Sequence, residues 1–291
     1  VAIPTAVQIF AWLATLAHGR PRWDVPMLYV SGFFFVFVMG GLTGVMLAMV
    51  PFDWQAHDTY FVVAHLHYVV AGALAFPMMA GLYYWLPLLT GRAAVHRLAV
   101  PAFWLIFIGF NLTFFMMHLT GLMGMPRRIH TYQGYEGWNW LNLLSSVGGF
   151  VMTIGFALLV VDLVVQLRYG RRVRRDPWGA TTLEWAMPLP PPPYGFASIP
   201  HVGSETDGIA PGELAESLAR GEGYLGSVRN GWQEALGVHT TSGAPEQLIV
   251  LPQPTYLPLF TALATAAAVL AMLFKVYALS LFAVLVVAVL F

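Results

Sequence analysis

The sequence contains no cysteine and very little charge. None of its 291 residues is Cys, and only 10% are Asp, Glu, Lys or Arg. The absence of cysteine excludes disulfides, thiolate metal sites, iron–sulfur clusters and covalently attached haem c. Because soluble domains carry roughly 25% charged residues, the low charge nearly excludes a water-soluble protein.

Lysine is also scarce, and charges of opposite sign cancel. Lys275 is the one lysine among 14 basic residues, and 14 acidic residues bring the formal net charge to zero. A neutral chain has no basic footprint, so we expect no nucleic acid partner.

Apolar residues dominate the chain. They make up 58% of it, the mean hydropathy is +0.68, and residues 98–126 contain no charged residue. A helix that crosses a bilayer needs about 20 such residues. The sequence therefore predicts an all-α polytopic membrane protein, a transmembrane helix bundle in the lipid bilayer. We expect spans at 26–50, 59–90, 98–123 and 138–167.

Both ends of the sequence are apolar but short. Residues 1–17 are too few to span comfortably and predict a partial helix. At the other end, 256–274 is a good span and 276–291 stops in mid-run, which predicts a truncated membrane hairpin over 255–291. We therefore expect the sequence to be a piece of a longer chain.

The composition changes between 168 and 254. Five arginines between 168 and 175 open this segment, Pro190 to Pro193 follow, and a Gly- and Glu-rich stretch comes next. A proline run cannot form a packed core alone. The segment is predicted to be an extramembrane Pro/Gly-rich extension that lies on other protein surface, with a disordered linker as an equally weighted alternative.

Loop charges indicate the orientation in the membrane. Basic residues lie at 20–22, 92–97 and 168–175, and these loops alternate with two others. The positive-inside rule places the basic loops, and with them the 168–254 extension, in the cytoplasm. Arg127 and Arg128 then lie on the outer side against the trend, which indicates that they bind something anionic.

Two histidines fall inside a predicted span. Intramembrane ionisable residues are costly and usually functional, although each could simply hydrogen-bond a neighbouring helix. Residues i and i+2 are about 200° apart on an α-helix, so His65 and His67 cannot chelate one ion. Each must face its own partner. Imidazole is a good ligand for haem iron, and the pattern predicts one helix that serves two haems.

A second polar cluster is predicted nearer the outer surface. His57-Asp58 lies eight residues before His65, about 12 Å away along a helix. The pair could bind a hard divalent cation, or it could be an N-cap aspartate beside a loop histidine. Arg127-Arg128 lies on the same side, and arginine is well shaped to pair with the propionates of haem.

Two runs resemble a known family. HDTYFVVAHLHY at 57–68 and GMPRR at 124–128 resemble subunit I of haem–copper terminal oxidases, specifically bacterial-type cytochrome c oxidase. The resemblance covers nearly all of 1–200 and implies the carboxyl-terminal half of that subunit, from the eighth helix through the twelfth. Further matching segments are Ile3-Pro4-Thr5, Gly40-Gly41-Leu42-Thr43-Gly44, Pro177-Trp178-Gly179 and Thr182-Leu183-Glu184-Trp185.

The resemblance implies a role for each histidine of the H-x-H pair. His65 would be the catalytic residue, the proximal ligand of the oxygen-binding high-spin haem. His67 would ligate the low-spin haem.

The same resemblance assigns the outer residues. His57 and Asp58 would belong to a magnesium site whose remaining ligand comes from subunit II. Arg127 and Arg128 would pair with haem propionates.

One segment departs from the family pattern. The family's eighth helix reads P-T-G-x-K, with the lysine in a proton pathway, whereas this sequence has Gln8 at that position. Glutamine orients water but does not bind an excess proton. Proton uptake is therefore expected either through Thr5, Gln8 and water or by another route.

The activity implied is reduction of dioxygen to water by a proton-translocating oxidase in the bacterial plasma membrane, with electrons from cytochrome c. The implied cofactors are two a-type haems, magnesium and copper. The copper ligands would lie upstream of this sequence, so this piece alone would be inactive. The implied partners are the amino-terminal half of subunit I and subunits II and III. The alternatives are a quinol-oxidising haem–copper oxidase, a membrane transporter or channel without haem, and a piece with structural roles only.

Overall fold

The fold is built mainly from helices. The computed structural model describes residues 2–93, 98–173, 176–180, 183–186, 189–190, 233–238, 245–251 and 255–290. These residues fall into two compact units, one ending at Pro190 and the other starting at Gln233.

Four helical segments in the described ranges are long and apolar enough to cross a membrane, and the predicted polytopic helical fold class is confirmed. The spans predicted at 26–50, 59–90, 98–123 and 138–167 lie on them. The helices of the first unit are α1 (Ala2–His18), α2 (Val25–Ala48), α3 (Val50–Ala56), α4 (Tyr60–Leu66), a π-helical turn (His67–Gly72), α5 (Ala73–Thr90), α6 (Ala99–Leu122), a 3₁₀ turn (Gly134–Glu136), α7 (Asn139–Tyr169) and α8 (Leu183–Ala186).

The core of the first unit is aromatic and lies between α2, α5 and α6. The Tyr29 ring meets Phe103 edge-on at 5.0 Å and stacks on Tyr83 at 5.9 Å. Helices α6 and α7 pack closely, since a Cβ at Gly109 would lie 2.4 Å from the backbone nitrogen of Met152. Many apolar side chains on the outer faces remain exposed, as in helices that face lipid.

A two-stranded clip joins α5 to the end of α7. Strand β1 (Arg92–Ala93) pairs antiparallel with β2 (Arg171–Arg172). Gly91 precedes β1 with φ of 64°, a left-handed conformation that glycine adopts without cost. Its carbonyl accepts a hydrogen bond of 2.8 Å from the Val173 amide. The clip fixes the two helix ends side by side.

The residues after the clip pack on the bundle. The Trp178 indole stacks on Tyr84 at 5.6 Å and donates to its carbonyl, and Trp185 donates to the Tyr84 hydroxyl at 2.8 Å. The predicted extension began at 168, but in the structure α7 ends at Tyr169 and this first part of the extension docks on α5. The Trp185 indole is buried and the Trp178 indole is half-buried, and both contact the Tyr84 ring of α5.

The described residues of the second unit form a pair of strands and two helices. Strand β3 (Gln233–Val238) pairs antiparallel with β4 (Pro245–Leu251) and has an irregularity after Gly237. The apolar runs of the sequence predicted only helices, and this strand pair differs from that expectation. Helices α9 (Leu257–Leu273) and α10 (Tyr277–Leu290) pack on each other where the 255–291 hairpin was expected. With 17 and 14 residues, they are shorter than the four spans.

Candidate functional site

The helix that carries both histidines of the H-x-H pair changes type at the second one. Thr59 caps α4, and its hydroxyl accepts a hydrogen bond of 3.2 Å from the Phe61 amide. The helix is α-helical up to Leu66 and π-helical from His67 to Gly72. Wider π turns inside helices are frequent at functional sites.

His65 lies against α2. Its Nδ1 atom is 3.0 Å from the Gly40 carbonyl oxygen and 3.1 Å from the Thr43 hydroxyl. A carbonyl oxygen only accepts hydrogen bonds, so Nδ1 carries the proton and Nε2 keeps its lone pair. Gly44 makes room for the ring, since a Cβ there would lie 2.8 Å from Cε1 of His65.

His67 lies against α6. Its Nδ1 donates a hydrogen bond of 2.8 Å to the carbonyl of Val63, one turn earlier in the same helix. Its ring stacks on Phe114 with centroids 4.1 Å apart. By the same reasoning as for His65, Nε2 of His67 keeps its lone pair. The two rings contact different helices, as the i, i+2 spacing requires.

Gly72 lies seven residues after His65 and packs on the same helix, α2. A Cβ at Gly72 would lie 2.1 Å from Cγ1 of Val36, so side chains of α2 fill the space beside it. Gly40 and Gly44 are the glycines of α2 next to His65 itself.

The loop before α4 and the loop after α6 are joined by backbone hydrogen bonds. Thr59 and Pro126 form an isolated antiparallel bridge. The Tyr60 amide donates to the Met125 carbonyl, and the Arg127 amide donates to the Asp58 carbonyl, each at 2.9 Å. The structure thus brings the His57-Asp58 segment and the Arg127-Arg128 segment together, although they are about 70 residues apart in the chain.

The charged side chains at this junction form a small network. A guanidinium nitrogen of Arg127 pairs with the Asp58 carboxylate. Nδ1 of His57 lies 3.4 Å from Asp53, and Nε2 lies 4.0 Å from Asp58. Arg128 is exposed, with φ of 66°. The described residues contain no group of three or more His, Cys, Asp or Glu side chains placed to bind a metal ion.

Asp53 was missed as a member of this network. Asp53 lies in α3, and His57, four residues later, is the residue that caps the end of this helix. A four-residue spacing brings side chains together on a helix. That spacing was the available signal. Gly40 and Gly44 contact His65, and their G-x-x-x-G spacing, which indicates close helix contact in membranes, was the signal that could have found them.

The two residues considered for a proton pathway lie on α1. Thr5 is half-buried and Gln8 is exposed. Helix α1 contacts α2 through Trp12, whose ring meets Phe33 edge-on at 5.9 Å. The two candidate residues are about one turn apart on α1.

Together, these features define an integral membrane protein of bundled helices with two candidate metal-binding histidines on opposite faces of one helix. The model of cytochrome c and quinol oxidase polypeptide I matches residues 1–151, and the chain belongs to this family. The family implies haem and copper cofactors for the complete oxidase.

Similarity to individual proteins agrees with this membership. Cytochrome c oxidase subunit 1 of Alkalihalophilus pseudofirmus is 48% identical over 205 residues, which cover 70% of this chain and 33% of the relative. Quinol oxidase subunit 1 of Bacillus subtilis is 44% identical over 208 residues, which cover 70% and 32%. The chain thus spans about a third of the length of these relatives. Such bacterial relatives and the four apolar helices indicate a multi-pass plasma membrane protein.

A solved structure shares the fold. It is described as a heme-copper terminal oxidase dimer studied by cryo-EM. The TM-score is 0.50 at 24% identity, with 60% of this chain and 36% of that chain covered.

The histidine pair fits haem iron as far as its donor atoms are concerned. Neutral imidazoles whose Nδ1 atoms donate to carbonyls are the usual form of metal-binding histidines. Both rings have this arrangement.

Proposed function

We propose that this chain is part of a terminal oxidase that reduces dioxygen to water, translocates protons and holds two haems through His65 and His67. The observation that supports it best is the pair of Nδ1 hydrogen bonds, 3.0 Å from His65 to Gly40 and 2.8 Å from His67 to Val63. Each leaves an Nε2 lone pair for iron, on opposite sides of one helix.

The residues of this chain would orient the ligands and carry charge. The carbonyls of Gly40 and Val63 hold the imidazoles in one tautomer and raise their basicity. His65 would hold the high-spin haem and His67 the low-spin haem, each through its Nε2 atom. When bound, the haems and copper supply the electron transfer and the oxygen chemistry.

The outer network would have two tasks. Arg128 is exposed beside the loop junction and would pair with a haem propionate, with Arg127 as its neighbour. His57 and Asp58 would contribute to a magnesium site completed by subunit II. Asp58 already pairs with Arg127, so magnesium and arginine would share this carboxylate.

Several finer features belong to the complete oxidase. Both haems would be a-type haems. The copper ligands would come from the amino-terminal half of subunit I, and subunits II and III would complete the complex. Cytochrome c is the proposed electron donor. Quinol is the second candidate, because relatives of both names match this chain at similar identity.

The donor is tested on the purified oxidase. Oxygen consumption is measured with reduced cytochrome c and separately with a quinol, and subunit II is examined for a copper centre. Turnover with cytochrome c and a copper signal support the first donor. Turnover with quinol alone assigns the second.

The haem ligands are tested by substitution in the intact oxidase. We expect His65→Ala to abolish carbon monoxide binding to the high-spin haem while the low-spin haem bands persist, and His67→Ala to have the opposite signature. Loss of the same haem in both variants would contradict the two-haem assignment. A wild-type protein without a Soret band would favour a transporter or channel instead.

A further inference from the structure

Phe114 on α6 lies flat on the imidazole of His67. The ring centroids are 4.1 Å apart and the planes are inclined by only 16°. Phe114 is buried, and Phe110, one turn earlier, supports it at 4.8 Å. The aromatic ring is therefore fixed on one side by its own helix and on the other by His67.

His67 thus has two restraints of different kinds. The hydrogen bond from Nδ1 to the Val63 carbonyl, 2.8 Å long, decides which edge of the ring faces the helix backbone. The stacked Phe114 ring restrains rotation of the imidazole plane about the Cβ–Cγ bond. His65 is held differently, by the Gly40 carbonyl and the Thr43 hydroxyl of α2.

The plane of an axial imidazole matters for a haem. The π orbital of the ring overlaps with particular iron d orbitals according to its orientation, and groups around a ligand tune the metal that it binds. We propose that Phe114 is a positioning residue that fixes the imidazole plane of His67 relative to the low-spin haem. This proposal rests on the proposed function, in which His67 binds that haem.

Substitution of Phe114 in the intact oxidase tests the proposal. Phe114→Leu keeps apolar bulk but removes the flat face, and Phe114→Met does the same with a flexible side chain if the leucine variant does not assemble. Phe114→Tyr retains a ring that can stack. Phe115→Leu, the matched control, changes a neighbouring and more exposed phenylalanine whose ring contact is with His118.

The readouts are the electron paramagnetic resonance spectrum of the oxidised low-spin haem and its midpoint potential. We expect Phe114→Leu or Phe114→Met to shift and broaden the low-spin g-values and to move the potential. Phe114→Tyr and Phe115→Leu should keep the wild-type spectrum. Unchanged g-values in Phe114→Leu and Phe114→Met, or an equal shift in Phe115→Leu, would overturn the proposal.

The same spectra separate this proposal from the assignment beneath it. If His67→Ala retains the low-spin signal, His67 does not bind that haem and the proposed function fails. If His67→Ala loses the signal while Phe114→Leu leaves it unchanged, the haem assignment stands and only the positioning role fails.

Discussion

His65 and His67 are two residues apart, yet they are held in different ways. Nδ1 of His65 donates to a carbonyl of another helix, that of Gly40 on α2, and lies 3.1 Å from the Thr43 hydroxyl. Nδ1 of His67 donates to a carbonyl of its own helix, that of Val63, and its ring packs on Phe114 of α6. Changes on α2 should therefore act on one histidine and changes on α6 on the other.

Gly44→Ala should have the largest effect, and it should act on the high-spin haem, which is assigned to His65. The added Cβ would lie 2.8 Å from Cε1 of His65, and such overpacking costs about 1–3 kcal/mol. We expect weaker carbon monoxide binding at the high-spin haem and an unchanged low-spin spectrum. Gly41→Ala is the matched control, because a Cβ there meets no described atom within 4 Å. A change in the low-spin haem alone would break the comparison.

Arg128→Gln should act on the low-spin haem, which is the haem assigned to His67. Loss of a hydrogen bond to a charged group costs about 1.5–3 kcal/mol, and an unpaired propionate should lower the potential of its haem. We expect a lower midpoint potential of the low-spin haem in a redox titration, with both haems still bound. Arg128→Lys keeps the charge and should shift the potential less. An unchanged potential would leave Arg128 as an ordinary loop charge.

Thr43→Val is a smaller test on the α2 side. It removes the hydroxyl 3.1 Å from Nδ1 of His65 but keeps the Gly40 carbonyl as the acceptor. A neutral hydrogen bond contributes about 0.5–1.5 kcal/mol, so the iron–histidine stretching band of the reduced high-spin haem should shift slightly. A shift in the low-spin bands instead would show that the two environments are not separate.

Gln8→Leu has the smallest expected effect. Gln8 is one turn from Thr5 on α1 and could orient water without binding a proton. If protons enter along this helix, the variant should slow reduction of the high-spin haem in stopped-flow measurements and leave both haem spectra intact. Turnover at the wild-type rate would mean that Gln8 only packs and that protons enter elsewhere.

The comparison also shows what the sequence could predict. Runs of apolar residues indicated the four spans, because length and hydropathy decide whether a helix can cross a bilayer. The i, i+2 spacing indicated that His65 and His67 face opposite sides, which the helix geometry fixes by itself. Both predictions depend on local properties of one helix.

The features that could not be predicted depend on neighbouring elements. The stack of Phe114 on His67 and the contact of Gly44 with His65 need the packing of three helices. The π turn from His67 to Gly72 is a change of helix type, and a fixed 3.6-residue period cannot anticipate it. The pairing of Asp58 with Arg127 needs the bridge between two loops that are distant in sequence.

A cryo-EM map of the intact, haem-loaded oxidase would test the central claim most directly. The account predicts that Nε2 of His65 and Nε2 of His67 bind two different irons, with Nδ1 of each still donating to the carbonyl of Gly40 or Val63. Both histidines on one iron, or iron bound through Nδ1 of either ring, would contradict it.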